Sequence, residues 1–140
     1  MTKEPNMAKG IDSIFQPHGQ ALRLLEQRLN LIGGNLANAN TPGYKARDLN
    51  FQAAMASALG GDGMTGTQGT PAGSLAAAGG EEGFDAFIQY RAPLQPSLDG
   101  NTVDTQMEKS AFAEASVRYE STLSLLSRRI SGLRAVLKGE

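Results

Sequence analysis

Apolar side chains recur at alternating intervals of three and four residues near both ends of the chain. This heptad spacing is typical of amphipathic helices that pack against another helix along a narrow apolar seam. The positions of the N-terminal seam are Ile11, Phe15, His18, Leu22, Leu25, Leu29, Ile32 and Leu36. The positions of the C-terminal seam are Phe112, Ser116, Tyr119, Leu123, Leu126, Ile130, Leu133 and Leu137. The pattern predicts a mainly α fold in which two elongated terminal helices pack as a coiled-coil-like pair.

The limits of these helices are indicated by capping residues and helix breakers. The C-terminal helix is predicted over residues 103–137, with Thr102 as its N-cap. The N-terminal helix is predicted to start near Gln16, because Pro17 is best tolerated in a first turn. Residues 33–34, both glycine, indicate either close approach of another backbone or fraying of the helix.

The two seams expose more apolar surface than two helices can cover. A helix with one strongly apolar face must bury that face against another element. One chain of 140 residues supplies too few helices to do so. We therefore expect helices from neighbouring subunits to complete the core. A self-contained antiparallel pair within one chain is the alternative.

The chain divides into three parts on this pattern: an N-terminal helical arm over residues 1–41, an excursion over 42–102, and a long C-terminal helix over 103–140. Within the excursion, residues 60–83 hold nine of the 17 glycines and few large apolar side chains. Such a segment buries too little surface to offset its ordering entropy, so a flexible loop is predicted there.

The rest of the excursion is predicted to contain turns and short extended segments. Residues 41–44, with the sequence Thr-Pro-Gly-Tyr, fit a type II turn with proline and glycine at its two central positions. Apolar residues at 51, 55 and 59 predict one short helix, and the alternation over 84–90 predicts a single strand. The whole excursion is interpreted as thin, without a domain core of its own.

Composition excludes several classes of function. The chain has 13 Lys or Arg residues against 14 Asp or Glu residues, which argues against a strongly electrostatic nucleic-acid binder. It has no cysteine, so disulfides, thiol catalysis and thiolate metal sites are excluded. No apolar run reaches the roughly 18 residues that span a bilayer, and the first residues lack the apolar region of a cleavable signal peptide.

Residues with catalytic potential are few and poorly placed. Residues 61–66 match the glycine pattern of dinucleotide-binding turns, but no strand precedes them and no helix can follow. His18 has no second histidine or cysteine with which to share a metal, and its seam position favours a structural role. The sequence therefore predicts no enzyme, no cofactor and no metal site.

Two motifs resemble the bacterial flagellar rod and hook family. The sequence Asn-Ala-Asn-Thr-Pro-Gly-Tyr-Lys at 38–45 resembles the signature that follows the N-terminal helix in that family. The segment 90–103, which includes Gln-Pro-Ser-Leu-Asp-Gly-Asn-Thr, looks like that of a member of the proximal rod, as does the Leu-rich ending. The signature turn consists of Asn38, Asn40, Thr41, Pro42, Gly43 and Tyr44.

The resemblance implies a structural subunit of the flagellar basal body that serves cell motility. It implies that the two terminal helices form the inner layer of a hollow helical assembly. The partners it implies are other copies and other rod proteins, the rod-base adaptor FliE and the flagellar export gate. It also implies type III export to the periplasmic rod without a cleaved signal peptide. The alternative function is a soluble cytoplasmic helical adaptor or chaperone that forms a discrete small oligomer.

Overall fold

The structure is a computed structural model that describes residues 7–60 and 83–139. Its elements are α1 (Met7–Ala37), β1 (Arg47–Leu49), α2 (Phe51–Ala58), a 3₁₀ turn (Asp85–Phe87), β2 (Ile88–Tyr90) and α3 (Thr105–Lys138). The predicted mainly α fold, with long terminal helices and a short extended excursion, is confirmed. The predicted glycine-rich loop and the glycine pattern at 61–66 lie outside the described residues, apart from the loop's two end positions.

The two long helices pack against each other as an antiparallel pair. The last turns of α1 lie beside the first turns of α3, where the Asn35 side chain donates a 3.2 Å hydrogen bond to the Glu108 carboxylate. From that point both helices extend to the side opposite the excursion. The molecule thus has one end formed by the excursion and another formed by the outer halves of the two helices.

Helix α1 is longer than the sequence indicated, because Pro17 lies inside it rather than in its first turn. A proline removes a single backbone N–H donor and strains one turn. The apolar period of the N-terminal seam continues on both sides of Pro17, so the proline does not change which face of the helix is apolar. The glycines at 33 and 34 are also helical, so the end of α1 is not frayed there.

Helix α3 begins two residues later than predicted, and its N-cap is Asp104 rather than Thr102. The Asp104 carboxylate accepts hydrogen bonds from the backbone N–H groups of Gln106 and Met107. The Thr102 hydroxyl instead accepts a 2.7 Å hydrogen bond from the backbone N–H of Ala46. Sequence reasoning identified a good capping residue, but its hydroxyl is used by a backbone group 56 residues away along the chain.

The predicted strand over 84–90 is only half correct. Residues Ile88–Tyr90 pair antiparallel with β1, with Asp48 opposite Gln89. The residues before them form a 3₁₀ turn, whose repeat of about three residues places Phe84 and Phe87 on the same side. Both rings pack against the core, which alternation along a strand would not allow.

The predicted type II turn and short helix are confirmed. The backbone N–H of Tyr44 donates to the carbonyl oxygen of Thr41, and Gly43 has a φ of 72°, which favours glycine at that position. Helix α2 begins after Asn50, whose side-chain oxygen accepts a hydrogen bond from the backbone N–H of Ala53.

The excursion, interpreted from the sequence as thin, packs its apolar side chains onto α1. A cluster of buried side chains joins α1 to β1 and α2, and part-buried apolar residues of the excursion pack against it. The buried members are Leu24, Leu31, Leu49 and Ala54, and the part-buried members are Phe51, Met55, Phe84, Phe87 and Ile88. Helix α1 therefore buries a second stripe, one residue away from the seam positions Leu25 and Ile32.

Candidate assembly site

The N-terminal seam is covered best in the half of α1 that lies near the excursion. Leu25 and Ile32 are 3% and 0% exposed, respectively. Leu22, Leu29 and Leu36 are half-buried. Towards the start of the helix Ile11 is exposed, as is Ile14 just off the seam. Coverage therefore declines with distance from the excursion.

The C-terminal seam remains largely uncovered in the single chain. Phe112, Leu123, Ile130, Leu133 and Leu137 are all exposed, with fractions from 36% to 84%. Tyr119 and Leu126 are half-buried. In α3 the fully buried residues are Glu108 and Ala115, both in its first third. The face of α3 beyond Ala115 is thus apolar but accessible.

The signature turn is held by hydrogen bonds within the chain. The Asn38 side chain donates 2.8 Å to the carbonyl oxygen of Gly34 and accepts from the Thr41 hydroxyl. Tyr44 is half-buried, and a Cβ atom at Gly34 would lie 3.9 Å from its hydroxyl. Asn40 and Pro42 are exposed. Gly34 therefore lies beside a side chain rather than another backbone, and a Cβ atom at Gly33 would meet nothing within 4 Å.

Asn101 clasps the signature turn from the other side. Its buried side-chain amide lies 3.0, 2.8 and 2.9 Å from the carbonyl oxygens of Asn38, Ala39 and Thr41. Its own side-chain oxygen accepts a hydrogen bond from the backbone N–H of Val103. The two motifs that suggested the resemblance, at 38–45 and 90–103, are thus hydrogen-bonded to each other. Together they join the end of α1 to the start of α3. We call this arrangement the Asn101 clasp.

Backbone contacts extend the clasp on both sides. The backbone N–H of Gly43 donates a 2.8 Å hydrogen bond to the carbonyl oxygen of Asp99. The backbone N–H of Thr102 donates a 3.0 Å hydrogen bond to the carbonyl oxygen of Tyr44. Gly100 has a φ of 76°, and a Cβ atom there would lie 3.7 Å from the Cα of Gly43. Glycine at 100 is therefore required by its backbone conformation, as it is at 43.

Beside the clasp lies a charged network that joins four elements. Arg28 of α1 donates from Nε to the Asp48 carboxylate of β1 at 3.0 Å. Arg91, just after β2, donates to Asp48 at 2.7 Å and also to Glu108 of α3. Asn35 completes the network by bonding Glu108 and both backbone groups of Arg47. Two guanidinium groups thus balance two carboxylates.

The two carboxylates respond differently to this environment. Burial opposes ionisation of Asp48, but hydrogen bonds from Arg28 and Arg91 outweigh it, so the pKa of Asp48 lies below its ordinary value. For Glu108, which is fully buried, desolvation prevails over Asn35 and Arg91, and the pKa is raised. Asp48 is therefore the firmly ionised partner, whereas ionisation of Glu108 is less favourable than that of an exposed glutamate.

Sequence reasoning missed both the clasp and the network. Asn101 was treated as part of a turn, and the two arginines and two carboxylates carry no local pattern. The predicted seams gave no signal for them, since neither Arg28 nor Glu108 is a seam position. Their partners lie up to 73 residues away along the chain. His18, the candidate dismissed above, is half-buried in α1.

Comparison with known proteins decides the family. Residues 15–45 match the family model described as flagella basal body rod protein. The chain is 50% identical over 123 residues to the flagellar basal body rod protein FlgB of Cereibacter sphaeroides strain ATCC 17029, covering 88% of this chain and 92% of the relative. It is 42% identical to FlgB of Aeromonas hydrophila, covering 96% and 99%. It is 40% identical to FlgB of Escherichia coli strain K12, covering 94% and 98%.

The chain belongs to the FlgB family of flagellar basal body rod proteins. This membership confirms the resemblance and the interpretation as a structural subunit of the flagellar proximal rod. The part matched by the family model runs from the middle of α1 to Lys45 and ends in the turn that Asn101 clasps. The family signature is thus explained by an intramolecular contact.

The described residues contain neither a membrane-spanning stretch nor a cluster of metal ligands. In the parts of the chain that the structure describes, neither long helix has a stretch apolar enough to cross a membrane. Within the same residues no three His, Asp or Glu side chains converge into a group that could hold a metal ion. The feature that distinguishes the site is the accessible apolar face of α3.

Proposed function

We infer that this chain assembles by packing its two terminal helices against those of neighbouring subunits, forming part of a hollow helical axial structure. In that structure it connects the rod base to the more distal rod, without catalytic activity. The observation that carries this proposal is the exposure of the C-terminal seam. An apolar helix face of this length is a site for other helices, because leaving it in water is costly.

The exposed residues of α3 lie on two flanks of the helix. At about 100° per residue, the buried and half-buried positions 108, 115, 119 and 126 form a central strip that faces α1. On one side of it lie Phe112, Leu123 and Ile130, and on the other lie Met107, Leu125 and Val136. Two uncovered flanks favour contact with two neighbours, which is what a growing helical array requires.

The proposed partners are other copies, other rod proteins, the rod-base adaptor FliE and the flagellar export gate. Within this scheme the arms 1–41 and 103–140 provide the assembly seam, and the excursion 42–102 fixes how they are joined. The seam residues are those of the sequence pattern, from Leu22 to Leu36 and from Phe112 to Leu137. We further propose type III export of the chain to the periplasmic rod.

A substitution on the exposed flank tests the proposal. Ile130→Asp places a charge on the flank that includes Phe112 and Leu123, and Ser131→Asp places the same charge at the exposed serine that follows it. Burying one isoleucine contributes about 1.5–3 kcal/mol, and a buried charge reverses that gain. We expect the Ile130 variant to be synthesised and helical but absent from purified basal bodies, and the Ser131 variant to be present.

The alternative, a cytoplasmic adaptor of fixed small size, makes a different prediction. Such a protein would sediment as one discrete oligomer and would not occur in basal bodies. Incorporation of Ile130→Asp at the level of Ser131→Asp would show that this flank is not buried by assembly.

A further inference from the structure

The seam assigns a heptad position to each residue of the two long helices. Residues 15, 22, 29 and 36 of α1 and 116, 123, 130 and 137 of α3 are at position a, and the other seam residues are at position d. Asn35 and Glu108, which are hydrogen-bonded to each other, are then both at position g. In an antiparallel pair, position g lies beside position g, and position e lies beside position e on the other side of the seam. The hydrogen bond therefore identifies the g side.

The g side of the helix pair also carries the excursion. Arg28, at position g of α1, is paired with Asp48 of β1, and the buried Leu24 one turn before it packs in the core that the excursion covers. The e side faces away from that core. A Cβ atom at Gly19 or Gly33, both at position e, would meet nothing within 4 Å. The e side is therefore open in the single chain.

An apolar groove, which we call the open groove, runs along the e side between α1 and α3. Its floor consists of residues at position a, which borders position e: the half-buried Leu22 and Leu29, and Leu123 and Ile130, which are 45% and 39% exposed. The edge positions 19, 33, 113 and 127 carry glycine, alanine or serine. From 19 to 33 the groove extends for about 21 Å. Its floor is thus accessible to another helix.

Two glutamates face each other across the open groove. Glu26 and Glu120 are both exposed and both at position e. They lie about 14 Å and 18 Å along their helices from the hydrogen-bonded Asn35 and Glu108, so they are at similar levels. Position e is where facing helices ordinarily pair opposite charges, whereas here two negative charges meet. The groove therefore favours a cation from another molecule.

A cation between apolar side chains lies on the other side of the same chain. Arg129 is exposed at position g of α3, with Leu125 one turn before it and Val136 two turns after it. Leu125 and Val136 are 43% and 75% exposed, and we call the three residues the arginine ridge. The ion pairs within the described part of the chain do not include Arg129. The ridge thus offers a charge that its own chain does not use.

We propose that the arginine ridge of one copy packs into the open groove of a second copy, with Arg129 between Glu26 and Glu120. The ridge measures about 17 Å from Leu125 to Val136, so it fits within the groove. Ridge and groove lie on opposite sides of one molecule and cannot meet within it. Contact between unlike surfaces of identical chains leaves one ridge and one groove free, so the array can extend. The inference rests on the proposed function, since it specifies how copies pack side by side in the axial structure.

Charge exchange tests the pairing between copies. Glu26→Arg combined with Glu120→Arg keeps two like charges facing each other within the chain, but both now face Arg129 of the next copy. We expect the amount of this chain in purified basal bodies to fall by about tenfold or more, because like charges across an interface oppose contact. Adding Arg129→Glu to the same chain should restore the amount to within about twofold of the parent.

The matched control for the restoring change is Arg128→Glu, made in the same doubly substituted chain. Arg128 is exposed and adjacent to Arg129, but it lies about 100° away around the helix, outside the ridge. It should not restore incorporation. Helical circular dichroism of the free chains should be the same for all the variants. Failure of Arg129→Glu to restore incorporation, or equal recovery with Arg128→Glu, would overturn the pairing.

A photo-crosslinking amino acid in place of Leu125 identifies the contact directly. Copies that carry it and differently tagged copies without it are expressed together in a flagellated host that lacks its own copy, and purified basal bodies are irradiated. We expect cross-linked peptides that join residue 125 of one copy to residues 19–33 or 113–130 of the other tag. The same amino acid in place of Ser124, an exposed residue outside the ridge, should not give these products.

The outcomes separate the contact from the proposed function. If tagged parent copies are missing from purified basal bodies, the rod function itself fails. If copies with the cross-linker at 125 are present but react only with other surfaces or other proteins, the contact is wrong and the rod function stands. If only the cross-linker copies are missing, the charge-exchange series decides, and lack of recovery there overturns the contact.

Discussion

Replacing Asn101 by aspartate should unfold the connection between the two long helices. The change preserves the shape of the side chain but removes both of its N–H donors. Those donors are shared among the carbonyl oxygens of Asn38, Ala39 and Thr41. The new carboxylate would face three carbonyl oxygens and would lie near the Asp99 carboxylate, which caps the backbone N–H of residue 101.

The size of the effect follows from the hydrogen bonds lost. Asn101 is 6% exposed, so water cannot easily replace the lost donors. Two buried hydrogen bonds contribute about 1 kcal/mol each. The carbonyl oxygens of Asn38 and Thr41 keep donors from the backbone N–H groups of Thr41 and Tyr44, whereas leaving the Ala39 carbonyl without a donor costs about 1–3 kcal/mol. We therefore expect Asn101→Asp to lower the free energy of unfolding by about 3–5 kcal/mol at neutral pH.

The assay is urea unfolding of the full chain, followed by the helical circular dichroism signal. The matched control is Asn40→Asp, which places the same charge at an exposed asparagine of the signature turn that Asn101 clasps. That variant should stay within about 0.5 kcal/mol of the parent chain. A similar small loss for Asn101→Asp would refute the clasp as the connection between the helices. Partial recovery below the pKa of the new carboxyl, where it regains a donor, would support it further.

The remaining predictions concern the charged network and two glycines. The pKa of Asp48 is lowered, so its contribution to stability is present above the ordinary value of 3.8 and is lost as pH falls through the folded value. Asp48→Asn should therefore reduce the fall of the urea unfolding midpoint at acid pH. The pKa of Glu108 is raised above its ordinary value of 4.5, so stability is lost as pH rises from that value through the folded pKa; the urea midpoint of Glu108→Gln should rise relative to that of the parent over this range, and a constant difference would contradict the sign. Gly43→Ala, at a φ of 72°, should lower the unfolding midpoint by an amount equivalent to about 1 kcal/mol. Gly33→Ala, where a Cβ atom meets nothing within 4 Å, should raise the free energy of unfolding by up to about 1 kcal/mol. Equal effects of the two substitutions would show that the backbone conformation at Gly43 does not require glycine.

Local patterns were sufficient to predict the helices and the turn. The heptad spacing identified both long helices, because a seam repeats over many residues and depends on no distant partner. The Pro-Gly pair at 42–43 identified the type II turn, because glycine at its third position meets a backbone requirement. These are properties of contiguous residues, so one sequence contains them.

Features that depend on distant residues were predicted poorly or not at all. Thr102 has the chemistry of an N-cap, yet its hydroxyl serves the backbone of Ala46. Leu24 and Leu31 lie one residue off the seam, and only the excursion folding back onto α1 explains their burial. The roles of Asn101 and of the charged network likewise depend on contacts between residues far apart in the sequence.

The central claim is that the exposed flank of α3 is covered by other molecules and not by its own chain. Since the chain has no cysteine, Ile130→Cys can be labelled with a maleimide, with the neighbouring exposed position Ser124→Cys compared in parallel. Labelling is measured on the free chain and on purified basal bodies that contain it. We expect Ile130→Cys to react readily in the free chain and to be strongly protected in basal bodies, with Ser124→Cys less affected. Equal reactivity of Ile130→Cys in both states would contradict the claim.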